Sequence, residues 1–254
     1  MNITGNTVFV PGATSGIGLA LALRLHAAGN TVIVGGRRTE LLDQIAAEHP
    51  GIHTVRIDTA DAASIASASA AVIAEHPEVN VLVAMAGIMR AEDWTSPGFL
   101  ADAEVMVTTN LLGPIRLVAA FVEHLRTRPA STIVTVSSGL AHTPLGVTPT
   151  YNATKAAIHM LSESIRLQLA GTSVEVVELV PPAVQTDLMP GHAENDMALP
   201  LDAFVDEVMT LLESQPDARE ILVERVKPLR FSEVNGAYAD VVAMLNQTDP
   251  HAKG

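Results

Sequence analysis

Ser138, Tyr151 and Lys155 are the residues of this chain whose types and spacing could do chemistry. Tyr151 and Lys155 lie four positions apart, so on a helix they share one face. A phenol titrates near ~10 and is a poor proton donor or acceptor at neutral pH. A lysine cation beside it favours the phenolate and is expected to lower that pKa towards working pH. Ser138, thirteen residues before Tyr151 at the end of an apolar run, has a hydroxyl that could hold a carbonyl oxygen. Tyr-x-x-x-Lys alone also occurs on ordinary helix surfaces, so the weight of this reading comes from the elements that must position the three groups.

Those elements alternate. Thr7-Val8-Phe9-Val10 reads as a buried strand, Gly12-Ala13-Thr14-Ser15-Gly16-Ile17-Gly18 as a glycine turn, and the pattern through Leu21 and Leu25 as a helix ending at Gly29. Thr31 to Val34 is a second strand, which completes a βαβ unit with a right-handed crossover. Further strands are expected at His53–Ile57, Val81–Ala84, Thr132–Val136, Val174–Leu179 and Glu220–Val223. Helices are expected at Thr39–Glu48, Asp61–His76, Ala101–Arg126, Tyr151–Ala170, Leu201–Leu212 and Ser232–Leu245. The pattern predicts an α/β fold of Rossmann type: a doubly wound parallel sheet of about seven strands with helices on both faces. Residues 1–254 read as a single dinucleotide-binding catalytic domain. The segment from Thr186 to Pro200 breaks the rhythm and reads as a mobile substrate lid.

Composition sets the bounds. The 254 residues are nearly half apolar but poor in aromatics, and the formal charge is −13. Nucleic acid and anionic membrane are poor partners for such a chain. There is no cysteine, which excludes disulfides, thiolate catalysis and zinc–thiolate sites and fits the cytoplasm. No signal peptide and no apolar run long enough to span a membrane are expected. The nine histidines show no metal-ligand spacing, so no metal is expected. Tyr238 reads as a packing residue, whereas Trp94 could either cover a cofactor or anchor its loop.

The glycine turn has physical content. Gly12 permits a tight turn, Gly16 lets the backbone approach a pyrophosphate, and Gly18 lets the helix pack closely. The helix start supplies free N–H groups and partial positive charge. The second strand ends Gly35-Gly36-Arg37-Arg38 with no acid before Glu40. An acid there would bind a ribose hydroxyl, whereas a guanidinium pairs with a 2′-phosphate, so NADP(H) is preferred over NAD(H). In the long helix, Pro114 cannot donate to the carbonyl of Asn110, so a kink and a free carbonyl able to hold a water are expected there. The other possibility is a helix that ends, capped, at Gly113-Pro114.

Taken together these residues resemble the short-chain dehydrogenase/reductase family over essentially the whole chain. Gly12, Gly16, Ile17 and Gly18 match its glycine motif, Asp58 its adenine-contacting acid, and Ala86-Gly87 the end of its fourth-strand motif. Asn110, Ser138, Tyr151 and Lys155 match its catalytic tetrad in order and spacing, and Thr186, after Pro181, matches its nicotinamide-contacting threonine. The resemblance implies cofactor contacts from Thr14, Ser15, Thr59, Pro181 and Val184 as well, and from Asn110, Tyr151 and Lys155 beside their catalytic roles. It implies a small carbonyl or alcohol substrate, and a homodimer or homotetramer formed through the 101–126 and 151–170 helices. The proton relay it implies runs from Tyr151 through the ribose and Lys155 to a water at Asn110.

Three positions depart from the family pattern: Pro11 for threonine, Ala84-Met85 for a pair of asparagines, and Pro182 for glycine. The first two look like a matched apolar replacement, and the third stiffens the wall beside the nicotinamide. The run Pro181-Pro182-Ala183-Val184-Gln185-Thr186 and the tail from Glu220 to Phe231 also resemble, more weakly, a bacterial branch of oxidoreductases from the lipoteichoic-acid D-alanylation operon. The apolar residues Met89, Leu140, Leu145, Leu188 and Met189, near the expected pocket mouth, point to a moderately hydrophobic substrate. Two other functions stay open: a non-catalytic NADP-binding sensor or scaffold, and an epimerase or dehydratase working through transient oxidation.

Overall fold

Valine and isoleucine runs between glycine turns make the strands, and their alternation sets two cores. The structure, a computed structural model, describes residues 1–248. Seven parallel strands lie in the order β3-β2-β1-β4-β5-β6-β7. They are β1 (Thr7–Pro11), β2 (Thr31–Gly36), β3 (Ile52–Arg56), β4 (Val81–Ala84), β5 (Ser131–Val136), β6 (Val174–Leu179) and β7 (Glu220–Ile221). Successive side chains face opposite ways. Val8 and Val10, Val32 and Val34, and Val81 and Val83 join one core with Leu21 and Leu25 of α1 (Gly16–Ala27) and Phe204 and Val208 of α7 (Leu201–Ser214). Phe9, Ile33, Leu82 and Ile133 join the other, with Ile65 and Val72 of α3 (Ala62–Glu75) and Leu117, Phe121 and Leu125 of α5 (Gly113–Arg126). The rings of Phe9 and Phe121 meet at 5.4 Å.

Local chemistry sets the boundaries. Asp61 caps α3, its carboxylate accepting from the N–H groups of Ala63 at 3.1 Å and Ser64 at 3.3 Å. Glycines at positive φ follow the ends of α1 (Gly29, 89°) and of α6 (Pro149–Leu169; Gly171, 80°). The strand order reverses between β1 and β4, where a crevice opens at the carboxyl ends of the strands.

Several expectations are corrected. The long helix is not simply kinked at Asn110. α4 (Leu100–Val107) and α5 are joined by a π-helical turn over Thr108–Leu112, in which Gly113 N–H donates to the Thr108 carbonyl. Shifting the bond register by one residue accommodates the missing N–H of Pro114 without ending the helix, so the capped end at Gly113-Pro114 does not form. The whole helical run Pro97–Arg126 is long and apolar enough to cross a membrane by length and composition, contrary to expectation. Its residues Met106, Leu117, Phe121 and Leu125 are nevertheless fully buried inside the fold.

The last strand is two residues long, because Glu224–Val226 turn into a 3₁₀ segment leading to the short α8 (Lys227–Arg230). The last helix, α9, spans Tyr238–Thr248 instead of starting at Ser232, since Gly236 sits at φ 68° and interrupts the helical backbone. Tyr238 is 42% exposed and is not the packing residue expected. Trp94 stacks on Phe99 at 4.3 Å, so it anchors its loop.

Candidate active site

The crevice holds a cavity of about 490 Å³, lined at one end by the glycine loop and at the other by Ser138, Tyr151 and Lys155. At the glycine loop, Gly12 has φ 84°, and a Cβ on it would fall 2.6 Å from that of Ala86. Only glycine permits that approach, and it joins the β1 and β4 ends where Pro11 and Ala84 replace polar residues. A Cβ on Gly18 would fall 2.9 Å from Ala13 Cα, so this glycine packs α1 on the loop. Ser15, the N-cap of α1, makes no side-chain cap, which leaves the helix start to an anionic ligand. Arg37 and Arg38 line the cavity beside this loop. Arg38 donates to Thr14 Oγ1 at 2.8 Å and Ser15 Oγ at 3.2 Å, so its guanidinium lies across the helix start.

At the other end β5 delivers Ser138 and α6 delivers Tyr151 and Lys155. Pro149 opens α6, and the cap that Thr148 does not supply comes from Glu92, whose carboxylate accepts from Thr150 N–H and Oγ1, both at 2.8 Å. The Ser138 hydroxyl stands beside the Tyr151 phenol and favours its ionised form. Lys155 Nζ donates to the Val136 carbonyl at 2.8 Å and stands 5.5 Å from the centre of the Tyr151 ring. Asn110, in the π turn, accepts from Ile88 N–H at 2.9 Å and donates to the Ile88 carbonyl at 2.8 Å and to Thr154 Oγ1 at 3.3 Å. Gly87 brings these groups together: a Cβ there would lie 3.4 Å from Asn110 Oδ1 and 3.7 Å from Lys155 Nζ.

A short chain dehydrogenase family model matches residues 6–196, from β1 through the glycine loop, Asn110, Ser138, Tyr151 and Lys155 to Thr186. The chain belongs to the short-chain dehydrogenase family. It is 43% identical over 191 residues to the uncharacterized oxidoreductase DltE of Bacillus subtilis, covering 74% of this chain and 75% of that one. It is 33% identical to a sulfoacetaldehyde reductase of Chromohalobacter salexigens, over 76% of this chain and 74% of that one. Among solved structures, a short chain dehydrogenase from Burkholderia cenocepacia in complex with NADP superposes with a TM-score of 0.81 at 24% identity, covering 98% and 100% of the two chains. An alcohol dehydrogenase of Thermococcus sibiricus complexed with 5-hydroxy-NADP superposes at 0.77 with 25% identity, covering 87% and 97%. The protein is thus an NAD(P)-dependent oxidoreductase, and DltE carries the weaker branch resemblance.

This member of the short-chain dehydrogenases gathers most of the sequence-derived residues. Gly12, Ser15, Gly16, Ile17, Gly18, Gly87, Pro181, Val184 and Thr186 line the cavity with the two arginines and the Ser–Tyr–Lys group. Thr14, Asp58, Thr59, Ala86 and Asn110 do not line it. Asp58 accepts from Ala60 N–H at 3.0 Å in a local turn, and Thr59 is buried against Gly113, where a Cβ would come within 2.7 Å of its carbonyl oxygen. Thr186 stands across the loop, 3.5 Å from a Cβ placed on Gly16.

The expected lowering of the Tyr151 pKa by Lys155 is corrected. Burial pushes the phenol up to about 12, only partly offset by the neighbouring Ser138 hydroxyl. Burial likewise lowers Lys155 to about 8, against the opposing pull of Glu178. The tyrosine is therefore a protonated acid at neutral pH.

Two features escaped the sequence. The C-terminal Leu229 and Leu245 line the cavity beside Leu140 and Leu145; Leu229 lies in the tail from Glu220 to Phe231, read only for its branch resemblance, and Leu245 ends the helix expected from Ser232. The absence of histidine metal spacing also missed a cluster of His142, His159, Glu178 and Glu220, whose ligating atoms lie within 4.8 Å of one another. Four different elements contribute them, so no local spacing could show the cluster.

Proposed function

We propose that this protein is an NADP(H)-dependent oxidoreductase interconverting a small, largely apolar carbonyl compound and its secondary alcohol, with Tyr151 as general acid/base. The observation that carries this reading is the meeting of Ser138, Tyr151 and Lys155 on one wall of a cavity whose other end is the uncapped start of α1. The glycine loop and Thr186 would hold the cofactor, and Arg37 and Arg38 its 2′-phosphate. When bound, the cofactor supplies or accepts the hydride. Ser138 binds the carbonyl oxygen, where negative charge develops. Tyr151, protonated at neutral pH, gives that oxygen its proton. Lys155 binds the ribose, and Asn110 anchors the relay water through which the phenol is reprotonated. NADP-bound neighbours and the arginine pair support NADP(H) over NAD(H).

The substrate end supports a neutral, apolar compound. Tyr151 clusters there with Met89, Met106, Leu145 and Met189, with Leu140 and Leu245 packed against them. The arginines that line the cavity lie beside the glycine loop, and Lys155 is the cation at the reacting end. Residues 186–200 would close over the substrate as a lid. The segment is tied at its base by the Val184–Leu199 bridge, and Met189 and His192 are buried within it.

Val105, Leu112 and Ile115 on the 101–126 helix, and Met160 and Leu167 on α6, are exposed apolar side chains that support a homodimer or homotetramer formed by pairing these helices. The test of the functional reading is NADPH consumption with a panel of uncharged aldehydes and ketones, compared between wild type and Tyr151→Phe. Turnover by wild type alone supports it, and turnover by both removes Tyr151 from the reaction.

A further inference from the structure

Behind the wall that carries Ser138 and Lys155, Glu178 sits on β6 with no exposed surface. A carboxylate so buried is costly unless its oxygens are satisfied. Two elements satisfy them. Ser137 Oγ donates to Oε1, and His159 Nδ1 lies 2.9 Å from Oε2 and 3.1 Å from Oε1. Both partners adjoin catalytic groups. Ser137 stands between Val136, whose carbonyl receives Lys155 Nζ, and Ser138. His159 lies one helical turn beyond Lys155 on α6, as Lys155 lies one turn beyond Tyr151. One carboxylate thus fastens the end of β5 to the face of α6 on which the proton-transfer groups stand.

We propose that Glu178 is a positioning residue which, through Ser137 and His159, holds Ser138 and Lys155 in register for the reaction. This rests on the functional reading above. Glu178 also favours the charged form of Lys155, against the burial that lowers it. The surrounding charges leave Glu178 that role. Arg230 of α8 takes both oxygens of Glu220 of β7, at 2.7 and 3.0 Å. The ring of His142, from the turn after β5, meets His159 edge-on at 4.6 Å, and burial, then Arg230 and His159, push it down to about 4, so it is neutral. His159 is raised, chiefly by its hydrogen bond to Glu178. The two carboxylates of the cluster are each already engaged by a basic group, which favours a hydrogen-bonded node over a bound cation.

Glu178→Gln keeps the volume and an acceptor for Ser137 but removes the charge. The readouts are the NADPH dissociation constant, titrated by fluorescence from neutral to alkaline pH, and turnover of hexanal as the probe carbonyl. In wild type, NADPH binding should weaken as Lys155 deprotonates. In Glu178→Gln this alkaline limb should move down by about one pH unit. kcat should fall about tenfold with KM within about threefold, since an interaction serving only the reacting geometry is lost. Glu178→Asp, which restores the charge, should return the limb to its wild-type position. An unmoved limb in Glu178→Gln overturns the proposal.

If Glu178→Gln does not fold, Ser137→Ala removes one arm alone, and wild-type NADPH affinity and turnover in that variant overturn the proposal equally. Loss of turnover on treatment with a chelator, restored by zinc, would also overturn it and make the cluster a metal site. Turnover by Tyr151→Phe would defeat the functional reading itself, whereas an inert Tyr151→Phe beside a wild-type-like Glu178→Gln defeats only the role of Glu178.

Discussion

Glu92 caps the helix that carries Tyr151: its two carboxylate oxygens take the Thr150 N–H and the Thr150 hydroxyl, each at 2.8 Å. The loop after β4 thereby fixes the first turn of α6, one residue before the proposed proton donor. Glu92→Ala should lower unfolding free energy by about 1–2 kcal/mol, the cost of a lost N-cap. Urea denaturation checks this. Turnover should fall as well, because the Tyr151 turn frays, and Glu92→Gln should recover much of both. Unchanged stability in the alanine variant would remove Glu92 from the site's support.

Arg37 and Arg38 lie beside the α1 start, with Arg38 held by Thr14 and Ser15. Replacing both by alanine should weaken NADPH binding by about 10- to 100-fold, the range of charge-assisted hydrogen bonds, and leave NADH binding nearly unchanged. Paired titrations of the two cofactors read the discrimination directly. Equal losses for both would mean that the pair supports the loop without reading the 2′-phosphate.

The buried lysine has a thermodynamic signature. Its pKa in the folded protein is about 8, below its ordinary value of 10.5. Between these values the unfolded chain binds more protons than the native one, so this group's contribution to stability rises with pH. Below about pH 8 its cost is fully present. Lys155→Met lacks this term. Melting temperatures of wild type and variant, compared at pH 7.5 and 9.5, should therefore show wild type gaining on the variant as pH rises. Parallel profiles would show that Lys155 is not held in its buried, unfavourable state.

The exposed apolar side chains of the 101–126 and 151–170 helices give a further expectation. Light scattering at micromolar concentration should give the mass of a dimer or tetramer, and Leu167→Glu with Met160→Glu should shift it towards the monomer. A monomeric wild type would contradict the pairing.

Much of this was legible in local sequence. The strands, the glycine loop, the helix start at Asp61 and the Tyr–Lys spacing depend on neighbours a few residues apart, and the parallel order follows from the crossover rule. Pro114 correctly marked an irregularity in the long helix. Whether it became a kink, an end or a π turn was settled by tertiary packing, with Gly113 set against Thr59. The Tyr151 pKa was misread because a local Tyr–Lys pair says nothing of how deeply both are buried. The Glu178 node was invisible because Ser137, His159 and Glu178 meet only when β5, α6 and β6 are assembled.

The central claim is that Tyr151 donates the proton to a carbonyl reduced at the expense of NADPH. The most direct measurement pairs NADPH binding and single-turnover NADPH oxidation, with an uncharged aldehyde, in wild type and Tyr151→Phe. The predicted result is a variant that melts with the same NADPH-induced shift as wild type while oxidation of the bound cofactor falls by about 10³-fold or more, of the order expected for a lost general acid. Oxidation at the wild-type rate in a variant that binds NADPH normally would contradict the account.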